Sequence, residues 1–525
     1  MTLLHPGANL VLTVDRLDHD GAGVADVQTD SGLFRLHVAG ALPGEHVRAR
    51  VAHVSPHARE QGKDAWADLE EIATASLDRV ASPCPAHDRC GSCPLARWAY
   101  AAQVEWKREL VVEAMATQRE LSRGEPASFA GGAPSREAER EGASAASGCG
   151  GEGAGPEVPE GGSERGGGGL GEPKGLGTLP GFPYQLLVPV AACVPSPQPF
   201  GYRGNAKYVF GHDRDGRLVL GAYAPRSHEI VDMSGCPIAE PALAKVAAML
   251  VTLLVQHAIE PFDEVRRTGL LRYVVLRANA DGKVLVALVT GRESWPEAES
   301  LARALAAACP AVLGVVLNVN SASGNALLGE SERLLCGSAT IEDTIGPARV
   351  RLGPRSFAQA NRLVAGLAYH DIVAAAARLG PMDRVVDAYA GAGGIALSLA
   401  PLAREVVAIE ENPAACVTAE AFLAECAPDR NIRIVSGDVA DHLAQVGTAD
   451  LVVLNPPRKG CAPAVLAAVA QLHPRLVAYL SCNPASLARD LAALARLGLR
   501  TVGITPYDML PHTPHVEALA LLEKG

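Results

Sequence analysis

Aromatic side chains are scarce in this chain: 8 Phe, 10 Tyr and 4 Trp among 525 residues. Its cores must be built from aliphatic side chains, and positions able to stack a base are few. Long apolar runs are absent too. The longest, Val246 to Val255, contains Thr252 and ends at Gln256, short of the roughly 20 apolar residues that span a bilayer. No membrane segment is expected. The N-terminus, Met1-Thr2-Leu3-Leu4-His5-Pro6, has no basic stretch before an apolar one. No secretory signal is expected, and the location read from the sequence is cytoplasmic. Positive charge is not in excess either, since 47 Lys plus Arg face 58 Asp plus Glu for a net charge of −11. That excludes a globally basic nucleic-acid binder but not a local basic groove. Residues 121–180 alone carry nine Glu against five Lys plus Arg.

The length is too great for one core and predicts several domains. Twelve cysteines in a reducing compartment point to metal binding or catalysis rather than disulfides. Residues 1–75 alternate apolar and polar in Leu10–Val14, Leu33–Val38 and His46–Val51 between glycine and proline turns. This spacing predicts a small β-barrel of the oligonucleotide-binding type or a generic β-domain. Residues 76–120 hold a cysteine segment and a helix over Arg97–Gln118. Residues 121–183 are dominated by Gly, Glu, Ser and Ala and read as a disordered insert. Residues 184–350 read as an α+β domain in which Arg203, Asn205 and Lys207 alternate with Tyr202 and Tyr208. That mix suits phosphate contacts and base stacking as well as a solvated strand edge. Residues 351–525 alternate strand and helix and predict a doubly wound parallel α/β sheet.

Four motifs carry chemistry. Cys84, Cys90 and Cys93 are spaced C-x5-C-x2-C, and Cys236 in a Gly/Pro-rich turn is the fourth thiol nearest in character. Four thiolates suit a [4Fe-4S] cluster or zinc, and the spacing does not choose between them. Asp387-Ala-Tyr389-Ala-Gly391-Ala-Gly393-Gly394 closes the first C-terminal strand, and Glu410 ends the second. It lacks the third glycine of the dinucleotide fingerprint and the Lys of a P-loop. It favours a nucleoside without a pyrophosphate, such as S-adenosylmethionine. Asn455-Pro-Pro-Arg458-Lys-Gly460 ends the fourth strand. Ser481-Cys482-Asn483-Pro484 follows the fifth, at the edge where open α/β sheets bind ligands. By position alone Cys482 reads as a core thiol. Glu517 opens the last strand, where burial would raise its pKa and suit it to proton transfer.

These motifs, with Ser356-Phe-Ala-Gln359-Ala-Asn361, Leu487-Ala-Arg-Asp490 and Asp508-Met-Leu-Pro-His512-Thr513, stand in one order. In that order the chain resembles the RNA uracil-5-methyltransferases, in particular the branch acting on 23S ribosomal RNA. The resemblance runs nearly end to end, apart from the Gly/Glu-rich insert. It implies a TRAM-type barrel, an iron–sulfur segment, a central RNA-binding domain and a Rossmann-like methyltransferase domain. It makes Cys482 the nucleophile and Glu517 the general base. It places Gln359, Tyr389, Gly394, Glu410, Asp438 and Asn455 around the methyl donor or target base. It also makes Cys84, Cys90, Cys93 and Cys236 ligands of a [4Fe-4S] cluster, with zinc as the alternative metal. Asn455 stands where the family more often has Asp. The expected partner is RNA, ribosomal rather than transfer RNA, and the enzyme is expected to be monomeric. Transfer RNA uracil-5 methylation and a non-catalytic RNA-binding assembly factor are the alternatives.

Overall fold

The computed structural model describes residues 4–30, 32–59, 62–124, 188–322, 326–427 and 431–525. From residue 125 onward, the insert expected over 121–183 lies outside these residues. The N-terminal sheet comprises β1 (Asn9–Thr13), β2 (Arg16–Leu17), β3 (Gly23–Thr29), β4 (Gly32–Val38), β5 (His46–Arg59) and β6 (Gly62–Thr74), in the order β1-β5-β6-β4-β3-β2. Its two outermost strands are consecutive in the chain, so residues 9–17 run from one edge to the other and curl the sheet round. Phe34, Leu36 and Val38 of β4 alternate inward onto Val47, Ala49 and Val51, the period of two that the sequence shows.

The cysteine segment follows, with α1 (His87–Cys90) and the long α2 (Tyr100–Gly124). Leu95, Trp98 and Trp106 from this region pack against Leu17 and Leu42 of the N-terminal sheet. A second sheet is formed by β7 (Asn205–His212), β8 (Leu218–Tyr223), β9 (Ile230–Asp232), β10 (Leu271–Ala278), β11 (Val284–Thr290), β12 (Val312–Val319) and β13 (Ser331–Gly337). Helices α3 (Pro241–Gln256) and α4 (Ala298–Ala308) complete its core through Leu243, Leu250, Leu254, Leu301 and Leu305. The hairpin β14 (Ile341–Ile345) and β15 (Ala348–Leu352) then leads into α5 (Arg362–Ala377).

The C-terminal sheet contains β16 (Met382–Ala388), β17 (Ala403–Glu410), β18 (Ile432–Ser436), β19 (Leu451–Leu454), β20 (Leu476–Ser481), β21 (Leu499–Tyr507) and β22 (Glu517–Lys524). Helices α6 (Gly394–Leu399), α7 (Pro413–Cys426), α8 (Val439–Leu443), α9 (Pro463–Gln471) and α10 (Pro484–Arg496) alternate with them. The order is β18-β17-β16-β19-β20-β22-β21. Six of the seven strands, β16 to β21, run in one direction, as a doubly wound parallel sheet requires. The all-parallel expectation is corrected for β22 alone, which is antiparallel to both β20 and β21. Only the loop 508–516 joins β21 to β22, and without a crossover helix consecutive strands must run antiparallel. The chain winds outward from β16 in both directions, so a crevice opens beyond the carboxyl ends of β16 and β19. Among the described residues, no helix is long and apolar enough to cross a membrane.

Candidate active site

Every residue of β20 is buried, and the strand stops at Ser481. Asn483 then caps α10, accepting from the backbone N–H groups of Ala485 (3.0 Å) and Ser486 (3.4 Å), with Pro484 at the first helical position. Cys482 is thereby fixed at a strand-to-helix junction. The final register pair of β20 and β22 is Ser481 with Ala518, so the next position on each strand sets Cys482 beside Glu517. Glu517 is 4% exposed. Burial raises its carboxyl to about 8, against the pull of Arg458. The Cys482 thiol is pushed up to about 11 by burial and by the charge of Glu517, with Arg458 again opposing. At neutral pH this thiol is therefore protonated.

Arg458 faces both groups. Its Nη2 lies 3.3 Å from His515 Nε2, and its carbonyl accepts from Asn483 Nδ2 at 3.2 Å. Burial, then the Arg458 charge, lowers His515 to about 4, so its imidazole is neutral. The loop bearing Arg458 is latched to α10 through buried Asp490. That carboxylate accepts from Cys461 N–H (2.8 Å), the Tyr479 hydroxyl (2.6 Å) and Arg489 Nε (2.8 Å). Arg489 Nη2 in turn donates to the Lys459 carbonyl at 2.8 Å. Sequence reasoning assigned Asp490 no role. A signal existed, because Asp490 shares the apolar face of α10 with Leu487, Leu491 and Leu494, where an acid needs partners.

At the end of β16 the chain turns through Tyr389 (φ 65°), Gly391 (φ 57°) and Gly393 (φ 76°). The left-handed conformation is easy for glycine and rare for tyrosine. Both Glu410 oxygens hold this region, accepting from Gly391 N–H (2.7 Å) and Asn412 N–H (2.8 Å). Asp387 is fully buried. Its Oδ2 accepts from Ala396 N–H at 2.8 Å, and its Oδ1 has no hydrogen-bond partner. Burial and the Glu410 charge push this carboxyl up to about 7. Gln359, Tyr389, Gly394 and Asn455 line one hollow together with Phe357 and Tyr369. A Cβ on Gly394 would stand 3.0 Å from the Tyr369 ring. Glu410 is not among the residues of its wall and reaches it through the Gly391 N–H. Asp438 caps α8 by accepting from Ala440 N–H at 2.7 Å, and its charge reaches the Tyr389 phenol. An unpartnered buried carboxylate oxygen, a glycine turn and an aromatic wall fit a nucleoside bearing an amino-acid arm.

All four predicted ligand cysteines are free thiols. Burial raises the Cys93 thiol, and the neighbouring Cys236, Cys90 and Cys84 raise it further, so the four share one neighbourhood. Among the described residues, however, no three His, Cys, Asp or Glu side chains stand in an arrangement that could hold a metal ion.

With this geometry in view, comparisons with known proteins become informative. Residues 202–525 match the family described as tRNA (Uracil-5-)-methyltransferase. The chain belongs to this family. It is an S-adenosylmethionine-dependent RNA (uracil-5-)-methyltransferase. An uncharacterized RNA methyltransferase of Geobacter sulfurreducens is 34% identical over 99% of this chain and 90% of its own length. One from Halalkalibacterium halodurans is 32% identical over 98% of this chain and 96% of its own. Among solved structures, the Pyrococcus abyssi tRNA (uracil-54, C5)-methyltransferase in complex with S-adenosyl-L-homocysteine matches with a TM-score of 0.66 at 21% identity. The match covers 98% of this chain and 100% of that one. At that identity the likeness speaks for the fold: a multidomain chain with an N-terminal β-sheet domain and a Rossmann-like methyltransferase domain.

Proposed function

We propose that this methyltransferase forms 5-methyluridine in 23S ribosomal RNA through a covalent bond between Cys482 and uracil C6, with Glu517 as the base. The observation that carries this reading is the β20–β22 register, which sets a thiol beside a buried carboxyl with one guanidinium facing both. Uracil C5 is a weak nucleophile. The Cys482 thiol first loses its proton to solvent, at a cost that the Arg458 charge partly offsets, and the thiolate adds to C6 and sends the C5–C6 π pair onto the C4 oxygen as an enolate. S-adenosylmethionine supplies an electrophilic methyl group, which C5 takes while the breaking bond's electron pair stays on sulfur. Glu517 as carboxylate accepts the C5 proton, the C5–C6 double bond reforms, and Cys482 departs as thiolate. Gln359, Tyr389, Gly394, Glu410, Asp438 and Asn455 hold the donor or orient the base, which must leave its stack to reach Cys482.

Cys84, Cys90, Cys93 and Cys236 are the donor set for a [4Fe-4S] cluster or zinc, either of which a four-thiol set suits, and binding would have to draw the thiols out of their present arrangement into a coordinating one. The absorbance spectrum and metal content of anaerobically purified protein distinguish the two. The curled N-terminal sheet and the cysteine segment support ribosomal RNA, through their resemblance to that branch. Transfer RNA is the second reading, favoured by the descriptions of the matching family and of the Pyrococcus abyssi structure. RNA containing 5-fluorouridine, which cannot lose a C5 proton, tests the chemistry. A denaturant-stable adduct is expected with the wild type and none with Cys482→Ala; an adduct undiminished in Cys482→Ala overturns the assignment. Mapping 5-methyluridine across both RNAs in a deletion strain decides the target.

A further inference from the structure

The loop 508–516 delivers Glu517 to Cys482; Thr513 closes its inner turn on the Leu510 carbonyl, and residues from outside the methyltransferase sheet hold its backbone at Asp508, Leu510, Pro511 and His512. Lys107 Nζ donates to the Leu510 carbonyl at 2.9 Å and pairs with Asp508, both side chains being fully buried. The Tyr202 hydroxyl donates to the Pro511 carbonyl at 3.0 Å. At His512, the backbone N–H donates to Gln103 Oε1 at 3.0 Å, and its carbonyl accepts from Leu95 N–H at 3.1 Å. Gln103 Nε2 lies 3.2 Å from His512 Nδ1 and also binds the Leu95 (3.0 Å) and Trp98 (2.7 Å) carbonyls. The His512 ring stacks on Phe200, with centroids 4.3 Å apart. His512 itself has φ 67°, a conformation costly for a non-glycine residue unless its surroundings impose it.

Three consecutive residues, Leu510, Pro511 and His512, are thus gripped by the segment that begins at Cys93, by α2 and by Tyr202. Tyr202 itself neighbours Cys93 and Cys236. Nothing comparable holds Cys482, which is fixed by β20 and the cap of α10. The reaction's two halves therefore rest on different supports.

We propose that Gln103, Lys107 and Tyr202 form a clamp that positions the loop preceding Glu517, so that they govern removal of the C5 proton rather than attack by Cys482. The proposal rests on Glu517 being the base. A base displaced by a fraction of an ångström leaves attack and methyl transfer possible but strands the methylated, covalent adduct, because reactivity falls steeply with misplacement.

The test uses the full-length enzyme, unmodified substrate RNA and a methyl-labelled donor. Denaturant-stable adduct and tritium release from uridine labelled at C5 are followed for Gln103→Ala, Tyr202→Phe and Glu517→Gln. For the two clamp variants, adduct is expected to accumulate about tenfold over wild type, with tritium release slowed in step. Tyr202→Phe removes a single hydroxyl, so it reports even where Gln103→Ala lowers the Tm. If Glu517→Gln traps adduct and neither clamp variant does, the clamp is overturned and the base stands. If the clamp variants slow adduct formation itself, their role is general packing and the proposal also fails. If Glu517→Gln traps nothing, the base assignment falls, and the clamp falls with it.

Discussion

A carboxyl at the start of a buried strand is expensive to ionise, and Glu517 shows the cost in its raised pKa of about 8, against an ordinary 4.5. Two consequences follow from the same shift. Proton removal needs the carboxylate, so under single-turnover conditions the decay of the adduct should accelerate as pH rises through about 8. A flat profile between pH 6 and 9 would remove Glu517 from that step. For stability the sign is opposite. The folded state binds this proton more tightly than the unfolded chain, so the contribution is complete below about 4.5 and is lost as pH rises through about 8. Glu517→Gln has no proton to lose. Its Tm relative to wild type should therefore be higher at pH 8.5 than at pH 5, which thermal melts at the two pH values check. The sequence shows a lone glutamate before an apolar run, but not Arg458, which lies far off in the chain and tempers the shift.

At the scale of elements, the loop between β19 and α9 is a rigid bracket. Gly460 has φ 77°, and a Cβ there would stand 2.5 Å from both Arg489 Nη2 and Asp490 Oδ2. Gly460→Ala should break the latch that aims Arg458 at Cys482 and Glu517. The expected result is a loss of roughly 1–3 kcal/mol of stability and a fall in kcat greater than any rise in KM for the donor. Unchanged kcat would mean that Arg458 is aimed without the bracket. The strands of this domain were legible because each holds a short apolar run, and β18 and β19 are followed directly by Gly437 and Asn455. The antiparallel β22 was not, since periodicity reports burial and not direction. Strands β12 and β13 escaped notice as well. Leu313 is 37% and Leu334 46% exposed on the outer part of the second sheet, which blurs the apolar pattern. The cysteine spacing gave three neighbours, the Gly/Pro-rich turn and the family resemblance pointed to Cys236 as a fourth, and the fold brings it beside Cys93.

Taken as a whole, the molecule ties its central and methyltransferase layers together at several points, among them Arg277 to the Ser356 carbonyl, Tyr202 to the Pro511 carbonyl and a buried cation, Arg362. Arg362, at the first position of α5, pairs with Glu240 before α3 and with Asp343 on β14 (3.0 Å), and it also donates to the Ala278 carbonyl at the end of β10. Four elements meet there, and none of this is visible in sequence, because the partners lie 19 to 122 residues away. Burial holds Glu240 at about 7 even with Arg362 beside it. Arg362→Met would leave two carboxylates without their cation, at a cost of about 3–5 kcal/mol. Without the guanidinium the Glu240 carboxyl rises further, so the variant can shed part of that cost by keeping its proton at low pH. The gap in Tm between Arg362→Met and wild type should therefore be smaller at pH 5.5 than at pH 8. A gap independent of pH would show that the damage is lost packing rather than an uncompensated charge. If the strut also sets how the second sheet meets the donor crevice, RNA methylation at pH 8 should fall more than donor binding measured calorimetrically on the same preparation.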